Sequence, residues 1–128
     1  MARNFHNLEV FNLSYNLVLE IYKVLGKFPE AEKNNMISQI RRAALSIPLN
    51  IAEGSTRFSK RAYLQFLNYS YGSCRELEVL ILLSKDLNYI TNEEFNFIIE
   101  EIDKISKKLF KFINKVNEEK FYNWYSKC

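Results

Sequence analysis

Residues 39–54, QIRRAALSIPLNIAEG, constrain the fold of this chain more than any other stretch. From Ile37 through this stretch, apolar residues recur at spacings of three and four, which places them on one face of an α-helix. These are Ile37, Ile40, Ala44, Ile47 and Ile51. Polar residues recur at the same spacings on nearly the opposite side, namely Gln39, Arg42, Ser46, Asn50 and Glu53. The stretch therefore predicts a helix with a buried seam and a second, polar stripe.

Two residues are expected to shape this helix. Pro48 lacks the N–H group that would donate to the Ala44 carbonyl, and its ring crowds that carbonyl, so we expect a bend there. Gly54 tolerates the left-handed conformation that often follows a last helical turn. We therefore expect the helix to end at Glu53, with Gly54 as its stop.

The scarcity of helix breakers extends this helical prediction to the whole chain. Only three Gly and two Pro occur among 128 residues, a length that suits one domain with a real core. Amphipathic patterns predict helices at about residues 7–25, 32–53, 60–86 and 92–118. Short connections between them predict an all-α, up-down-up-down antiparallel four-helix bundle over residues 1–118. An aromatic and basic tail follows at residues 119–128.

The first helix carries two neighbouring apolar stripes instead of one. A heptad-like stripe consists of Leu8, Phe11, Tyr15, Val18, Tyr22 and Leu25. The second stripe consists of Val10, Leu13, Leu17, Ile21 and Val24. Together they form a wider apolar surface than one bundle partner can cover. Either this helix is central, or it also meets another subunit.

Local signals mark the ends of the other helices. Ser59 is a plausible N-cap for the third helix, and Thr91 with Glu94 forms the pattern of a capping box at the fourth. Phe28 is expected to anchor the turn after the first helix. Small side chains cluster in the middle of the third helix, where we expect a close approach by another element. The small residues there are Ser70, Gly72, Ser73 and Cys74.

The sequence lacks the common catalytic constellations. His6 is the one histidine, no Glu-x-x-His pair exists, and no glycine-rich phosphate cradle exists. We therefore expect no catalytic residues, no metal site, no cofactor and no enzymatic activity. Cys74 and Cys128 are expected to be reduced thiols, with a disulfide or metal role as the alternative. No signal peptide or membrane span is recognisable, which predicts a cytoplasmic protein without membrane contact.

Charge is distributed unevenly along the chain. The total is +3, but residues 41–61 carry a net +4, residues 62–103 a net −6 and residues 104–128 a net +5.

The first basic segment supplies candidate phosphate contacts that we expect at one end of the bundle, with aromatic residues Phe58 and Tyr63 among them. These nucleic-acid-binding candidates are Arg41, Arg42, Arg57, Lys60 and Arg61. The alternative is a set of solvated charges with one arginine paired to Glu53. The lysines late in the fourth helix are interpreted as a solvated face.

The polar stripe allows two interpretations. The favoured one is a structural hydrogen-bond network around Pro48, in which Glu53 holds Arg42 or Arg57. That network would comprise Gln39, Ser46, Asn50 and Glu53. The alternative is that the stripe recognises a ligand.

Several motifs resemble one known family across about residues 5–115. They are Phe28-Pro29-Glu30, residues 39–44 (QIRRAA), residues 46–54 (SIPLNIAEG), Arg57, and Gly72-Ser73 followed by Glu76. The pattern resembles the four-helix bundle proteins encoded within intervening sequences of bacterial large-subunit ribosomal RNA genes. It is also similar to the accessory variability proteins of diversity-generating retroelements.

The resemblance implies a non-enzymatic bundle with a basic surface that assembles into a homopentameric ring. For the retroelement proteins it further implies binding to nucleic acid and to a reverse transcriptase. The leading hypothesis is therefore weak, salt-sensitive binding of RNA or DNA by an accessory protein. The alternative is a protein-interaction scaffold that docks a partner enzyme, such as a reverse transcriptase or nucleotidyltransferase. An enzyme without a recognisable general base is the third possibility.

Overall fold

Four α-helices joined by short connections make up the part of the chain, residues 4–119, that a computed structural model describes. They are α1 (Glu9–Leu25), α2 (Met36–Ser55), α3 (Lys60–Asp86) and α4 (Asn92–Glu118). Short 3-10 turns at Phe5–Asn7 and Glu30–Glu32 precede α1 and α2. These residues include no β-strand, and the predicted all-α class is confirmed.

Each helix packs against two neighbours, as expected for a four-helix bundle. The most extensive interface is α2 with α3, followed by α3 with α4, α1 with α2, and α1 with α4. At one end, Lys60 at the start of α3 donates a hydrogen bond to a carbonyl at the end of α4. At the other end, Lys27 after α1 pairs with Glu94 in the first turn of α4. These contacts show that α4 runs antiparallel to both α3 and α1.

The second apolar stripe of α1 supplies most of its buried residues. The buried positions are Val10, Ser14, Leu17, Ile21, Val24 and Leu25, of which only Leu25 belongs to the heptad-like stripe. The rest of the heptad-like stripe is less buried, because Leu8, Phe11 and Val18 pack only partly against the core, while Tyr15 is 53% exposed and Tyr22 is 43% exposed. The sequence therefore identified a surplus of apolar surface on α1, and the fold leaves that surplus on the outside.

The predicted caps are confirmed. Ser59 Oγ accepts a hydrogen bond from the Ala62 amide at 3.0 Å. Thr91 and Glu94 exchange the two bonds of a capping box, at 3.1 and 2.9 Å. Phe28 is buried below the turn after α1, and its ring packs against that of Tyr89 at 5.2 Å.

The ends of α1 and α2 differ from the predicted bounds. Leu8 is extended, so α1 begins at Glu9, and a 3-10 turn delays the start of α2 to Met36. The expectation that Gly54 stops α2 in a left-handed conformation is wrong, because α2 continues to Ser55 and no described glycine has a positive φ. A Cβ atom at Gly54 would lie 2.8 Å from the Cβ of Phe66. Glycine is needed there because α3 approaches closely.

The helix α2 is continuous through Pro48. Proline removes one main-chain donor from the helix. Next to it, the buried Ser70 hydroxyl of α3 donates to the carbonyl of Ile47. Two of the small residues of α3, Ser70 and Ser73, thus contact α2 directly, whereas Gly72 has open space beside it.

The predicted tail, residues 119–128, lies outside the described residues except for Glu119. Within residues 4–119, none of the helices combines the length and the hydropathy needed to cross a bilayer.

Candidate nucleic-acid interface

The five basic candidates form two groups rather than one. Arg41 and Arg42 lie in the second turn of α2, whereas Arg57, Lys60 and Arg61 lie at the connection from α2 to α3. Fifteen residues separate Arg42 from Arg57, which corresponds to about 22 Å along a helix. The expectation that all five reach one end of the bundle is wrong, because the length of α2 holds the groups apart.

Arg57 is held in place by two contacts. Its guanidinium donates a hydrogen bond to Glu53 Oε1 at 2.5 Å and lies 4.7 Å from the centre of the Phe66 ring. Glu53 therefore pairs with Arg57, the second of the two arginines considered from the sequence. The ion pair offsets much of the charge that Arg57 would offer to a phosphate group.

Lys60 satisfies carbonyl groups at the end of α4. Its Nζ donates to the Asn117 carbonyl at 2.9 Å and to the Glu119 carbonyl at 2.5 Å. The last carbonyls of a helix lack partners within the helix, and a cation near them also interacts well with the helix dipole. Lys60 therefore fastens α3 to α4 while keeping its positive charge at this end of the bundle.

Arg61 is exposed and lines an open groove of about 580 Å³ between α3 and the end of α4. We call this the α3–α4 groove. Its lining consists of Lys60, Arg61, Leu64, Gln65, Asn68, Tyr69 and Asn117. Two cations, three amides and one aromatic ring therefore line it without any carboxylate. This composition suits a polyanion that also offers hydrogen-bonding groups.

Arg41 and Arg42 line a second shallow groove on the outer side of α2, of about 560 Å³. Its other lining residues are Ser38, Leu45, Ser46, Leu49 and Asn50. The Arg41 guanidinium lies 5.5 Å from the centre of the Tyr22 ring of α1. This second groove also lacks acidic lining residues.

The polar stripe of α2 is divided among separate contacts. Asn50 Nδ2 donates to the carbonyl and to Oγ of Ser46, both at 2.8 Å, and Ser73 Oγ donates to Ser46 Oγ at 2.7 Å. Gln39 instead donates to Asn35 at 3.3 Å, and Glu53 accepts from Arg57. Ser46 and Asn50 therefore share a network that joins α2 to α3, while Gln39 and Glu53 stand apart from it. The sequence marked Ser73 as small but did not reveal its partner.

Lysines late in α4 belong to the same end of the bundle as Arg61. Lys108, Lys111 and Lys115 line a groove of about 260 Å³ beside the start of α1, and Lys108 pairs with Glu9 at 3.2 Å. Lys115 lies two residues before Asn117, which borders the α3–α4 groove. The interpretation of these lysines as a solvated face stays a prediction, and it did not include their position beside the α3–α4 groove. The net charge of the last segment was the available signal.

The described part of the chain contains no assembled metal-binding cluster, and its buried cysteine is unreactive. No cluster of three or more His, Cys, Asp or Glu residues that could hold a metal ion occurs within residues 4–119. Burial of the Cys74 thiol raises its pKa to about 12, and the neighbouring Arg75 only partly opposes this. Cys74 therefore stays a protonated thiol at neutral pH, which is a poor nucleophile and a poor metal ligand.

The fold and the site thus define a four-helix bundle protein with basic, amide-lined surface grooves. Residues 6–111 match the model of a family described as 23S rRNA-intervening sequence protein. Because the match extends over most of the chain, the protein belongs to the 23S rRNA-intervening sequence protein family.

A solved structure supports the same placement. The chain is similar to a protein of unknown function from the S23 ribosomal protein family of Bacteroides thetaiotaomicron, with 28% sequence identity and a TM-score of 0.74. The similarity covers 81% of this chain and 97% of that one. No curated protein matches the chain significantly. The similarity to retroelement accessory proteins stays a prediction.

Proposed function

We propose that this protein binds nucleic acid, RNA or DNA, and catalyses no reaction. The observation that carries this proposal is the α3–α4 groove, where Lys60 and Arg61 lie among amide side chains without any acidic group. Arg61 is the principal phosphate contact, since Lys60 and Arg57 are partly engaged within the protein. The family name links its members to 23S rRNA, which makes RNA the first ligand to test.

Binding by one copy of the chain is expected to be weak. Nucleic-acid affinity rises with the number of phosphates neutralised, and each cluster of basic residues on this protein contains only two or three side chains. Arg41 and Arg42 supply a second contact area on α2. Several copies in one assembly would add such contacts together.

An apolar groove between α1 and α2 favours self-association. It has a volume of about 370 Å³ and contains no charged side chain, and Leu49 at its edge is 62% exposed. Its lining consists of Phe5, Phe11, Tyr15, Val18, Leu19, Leu45, Pro48, Leu49 and Ala52. We propose that another copy of the chain covers this groove in a homo-oligomer. The family resemblance suggests a pentameric ring.

A titration with structured RNA at two salt concentrations tests nucleic-acid binding. We expect binding at low salt that weakens steeply as salt is added. Arg61→Ala should weaken binding and reduce the slope of log K against log salt by about 1. The matched control is Lys33→Ala, which removes the same charge from an exposed site outside the grooves. No binding at low salt, or equal effects of the two variants, would refute the proposal.

Light scattering at micromolar concentration tests the oligomer separately. We expect an oligomer for the natural chain and a smaller species for Leu49→Glu, because a carboxylate would have to be buried in an apolar interface. Val79→Glu is the control, since Val79 is 56% exposed on α3, away from the apolar groove. A monomeric natural chain would refute self-association.

The same apolar groove supports a second candidate function. A partner enzyme, such as a reverse transcriptase or nucleotidyltransferase, could occupy it, and the protein would then act as a scaffold. Capture of such an enzyme that survives nuclease treatment and is lost in Leu49→Glu would favour this alternative. Capture that nuclease abolishes would favour nucleic-acid binding.

A further inference from the structure

We propose that the α3–α4 groove takes single-stranded nucleic acid and that one unpaired base stacks on the ring of Tyr69. This inference rests on the proposed nucleic-acid binding and adds the form of the ligand. Tyr69 lines the groove and is 51% exposed. Aromatic rings beside cations are the usual means by which proteins hold unpaired strands.

The Tyr69 ring is held in position before any ligand arrives. Its hydroxyl accepts a hydrogen bond from Gln65 Nε2 at 2.8 Å. Its ring meets the Phe66 ring nearly edge-on, with centroids 5.9 Å apart and an angle of 83° between the planes. Phe66 in turn lies under the Arg57 guanidinium. A ring fixed in this way loses little conformational freedom when a base stacks on it.

The spacing of the groove residues fits a short stretch of strand. Arg61 and Tyr69 are eight residues apart, which is about 12 Å along α3. That distance corresponds to the rise of about three stacked nucleotides at 3.4 Å each. A phosphate held at Arg61 would therefore place a base about three nucleotides further along near Tyr69.

The amide groups of the groove also favour an unpaired strand. Asn68 Nδ2 donates to the Leu64 carbonyl at 2.9 Å, which fixes the side chain and leaves its amide oxygen as an acceptor. Asn117 borders the groove from α4. Base edges are accessible to such groups when the bases are not paired, and a duplex stacks its base faces on one another. A ring and amides in one groove are therefore of use mainly for a single strand.

The test compares an unstructured 12-nucleotide RNA with the same RNA annealed to its complement, and repeats both with DNA. Fluorescence anisotropy of labelled strands at low salt gives the affinities. We expect the full chain to bind at least one of the single strands more tightly than its duplex. Tyr69→Leu should weaken single-strand binding about fivefold or more, while Tyr69→Phe keeps the ring and should stay within about twofold.

Phe97→Leu is the control for removing an exposed aromatic ring, because Phe97 is 49% exposed on α4 and lies outside the α3–α4 groove. Equal binding of single strands and duplexes, or equal affinities of Tyr69→Leu and the natural chain, would overturn the stacking inference. If Arg61→Ala still weakened binding in that case, the proposed function would stand. Absence of binding to every strand at low salt would overturn both. The comparison of strands needs no variant, so it holds whatever Tyr69→Leu does to folding.

Discussion

The inner and outer faces of α2 differ sharply although they alternate within one short stretch. On the inner face, Ile47 and Ile51 are fully buried, and the Ile47 carbonyl receives a hydrogen bond from α3. On the outer face, Leu49 is 62% exposed and Arg42 lines a shallow groove. The same run of residues that joins α2 to α3 therefore also forms part of the molecular surface.

This difference teaches that the distinctive motif of the chain serves two purposes. Its inner residues set how closely α2 and α3 approach, because a side chain at Gly54 would collide with Phe66. Its most exposed outer residues, Leu49 and Arg42, add little to the core and are accessible to another molecule. Substitutions on the two faces should therefore separate into effects on folding and effects on association.

The largest expected effect comes from the inner face. Ile47→Ala removes a fully buried side chain from the core and should lower the free energy of unfolding by about 3 kcal/mol. Leu49→Ala, two residues away, should change it by less than about 0.5 kcal/mol at a dilution where the chain is monomeric. Urea unfolding at several protein concentrations measures both. Similar losses at high dilution would contradict the distinction between the faces.

The glycines provide a second comparison, with opposite signs. Gly54→Ala would bring a Cβ atom within 2.8 Å of Phe66 Cβ and 3.0 Å of Tyr63 Cδ1, so we expect destabilisation of about 1–3 kcal/mol. Gly72→Ala meets nothing within 4 Å and should stabilise α3 by about 0.5–1 kcal/mol through helix propensity. Thermal unfolding gives the two shifts. A stabilising Gly54→Ala would show that α3 can move away at little cost.

The sequence predicted the helices far better than the surfaces they build. Periodicity and caps were sufficient for α3 and α4 because Ser59 and Thr91 act within a few residues of themselves. Gly54 was misinterpreted because the space for its side chain is limited by Phe66 in another helix. The sequence around Gly54 does not show that Phe66 of α3 approaches it so closely.

The candidate site was predicted less well for the same reason. The basic residues were recognised as a set, but their division into two groups depends on the length of α2 and on which side each residue faces. The contribution of Gln65, Asn68 and Tyr69 to the α3–α4 groove depends on the position of α4 beside them. Polar residues are exposed on most helices, so their presence in a sequence does not show which of them will line a groove.

The polar stripe gives a third, smaller comparison. Asn50→Leu removes the hydrogen bonds to Ser46 beside the α2–α3 interface and should cost about 1 kcal/mol. Glu53→Ala breaks only an exposed pair with Arg57 and should cost less than about 0.5 kcal/mol. Chemical unfolding of the two variants compares them. Equal losses of unfolding free energy in the two variants would show that Glu53 belongs to the structural network. An Asn50→Leu variant that melts normally but no longer binds nucleic acid would assign the stripe to ligand recognition instead.

The smallest expected effect concerns the exposed ion pair between Lys27 and Glu94. It tests whether exposed contacts outside α2 also contribute little to the stability of the fold. The hydrogen bond from Lys27, followed by that from the Thr91 amide, lowers the pKa of Glu94 below its ordinary value. A carboxyl group with a lowered pKa stabilises the fold above its unfolded pKa of about 4.3, and this contribution is lost as the pH falls through the folded pKa. Because Lys27 is well exposed, solvent screening should keep the contribution of this ion pair to stability below about 1 kcal/mol.

Unfolding measured between pH 7 and pH 3 should therefore show a slightly steeper loss of stability for the natural chain than for Lys27→Ala. Lys33→Ala, which removes a lysine from an exposed site close by in the sequence, should leave the slope unchanged. A pH-dependent difference of several kcal/mol for Lys27→Ala would mean that a surface pair matters as much as the α2–α3 interface. The Lys27–Glu94 pair, at the opposite end of the bundle from the α3–α4 groove, would then contradict the rule that buried packing contributes more than exposed contacts.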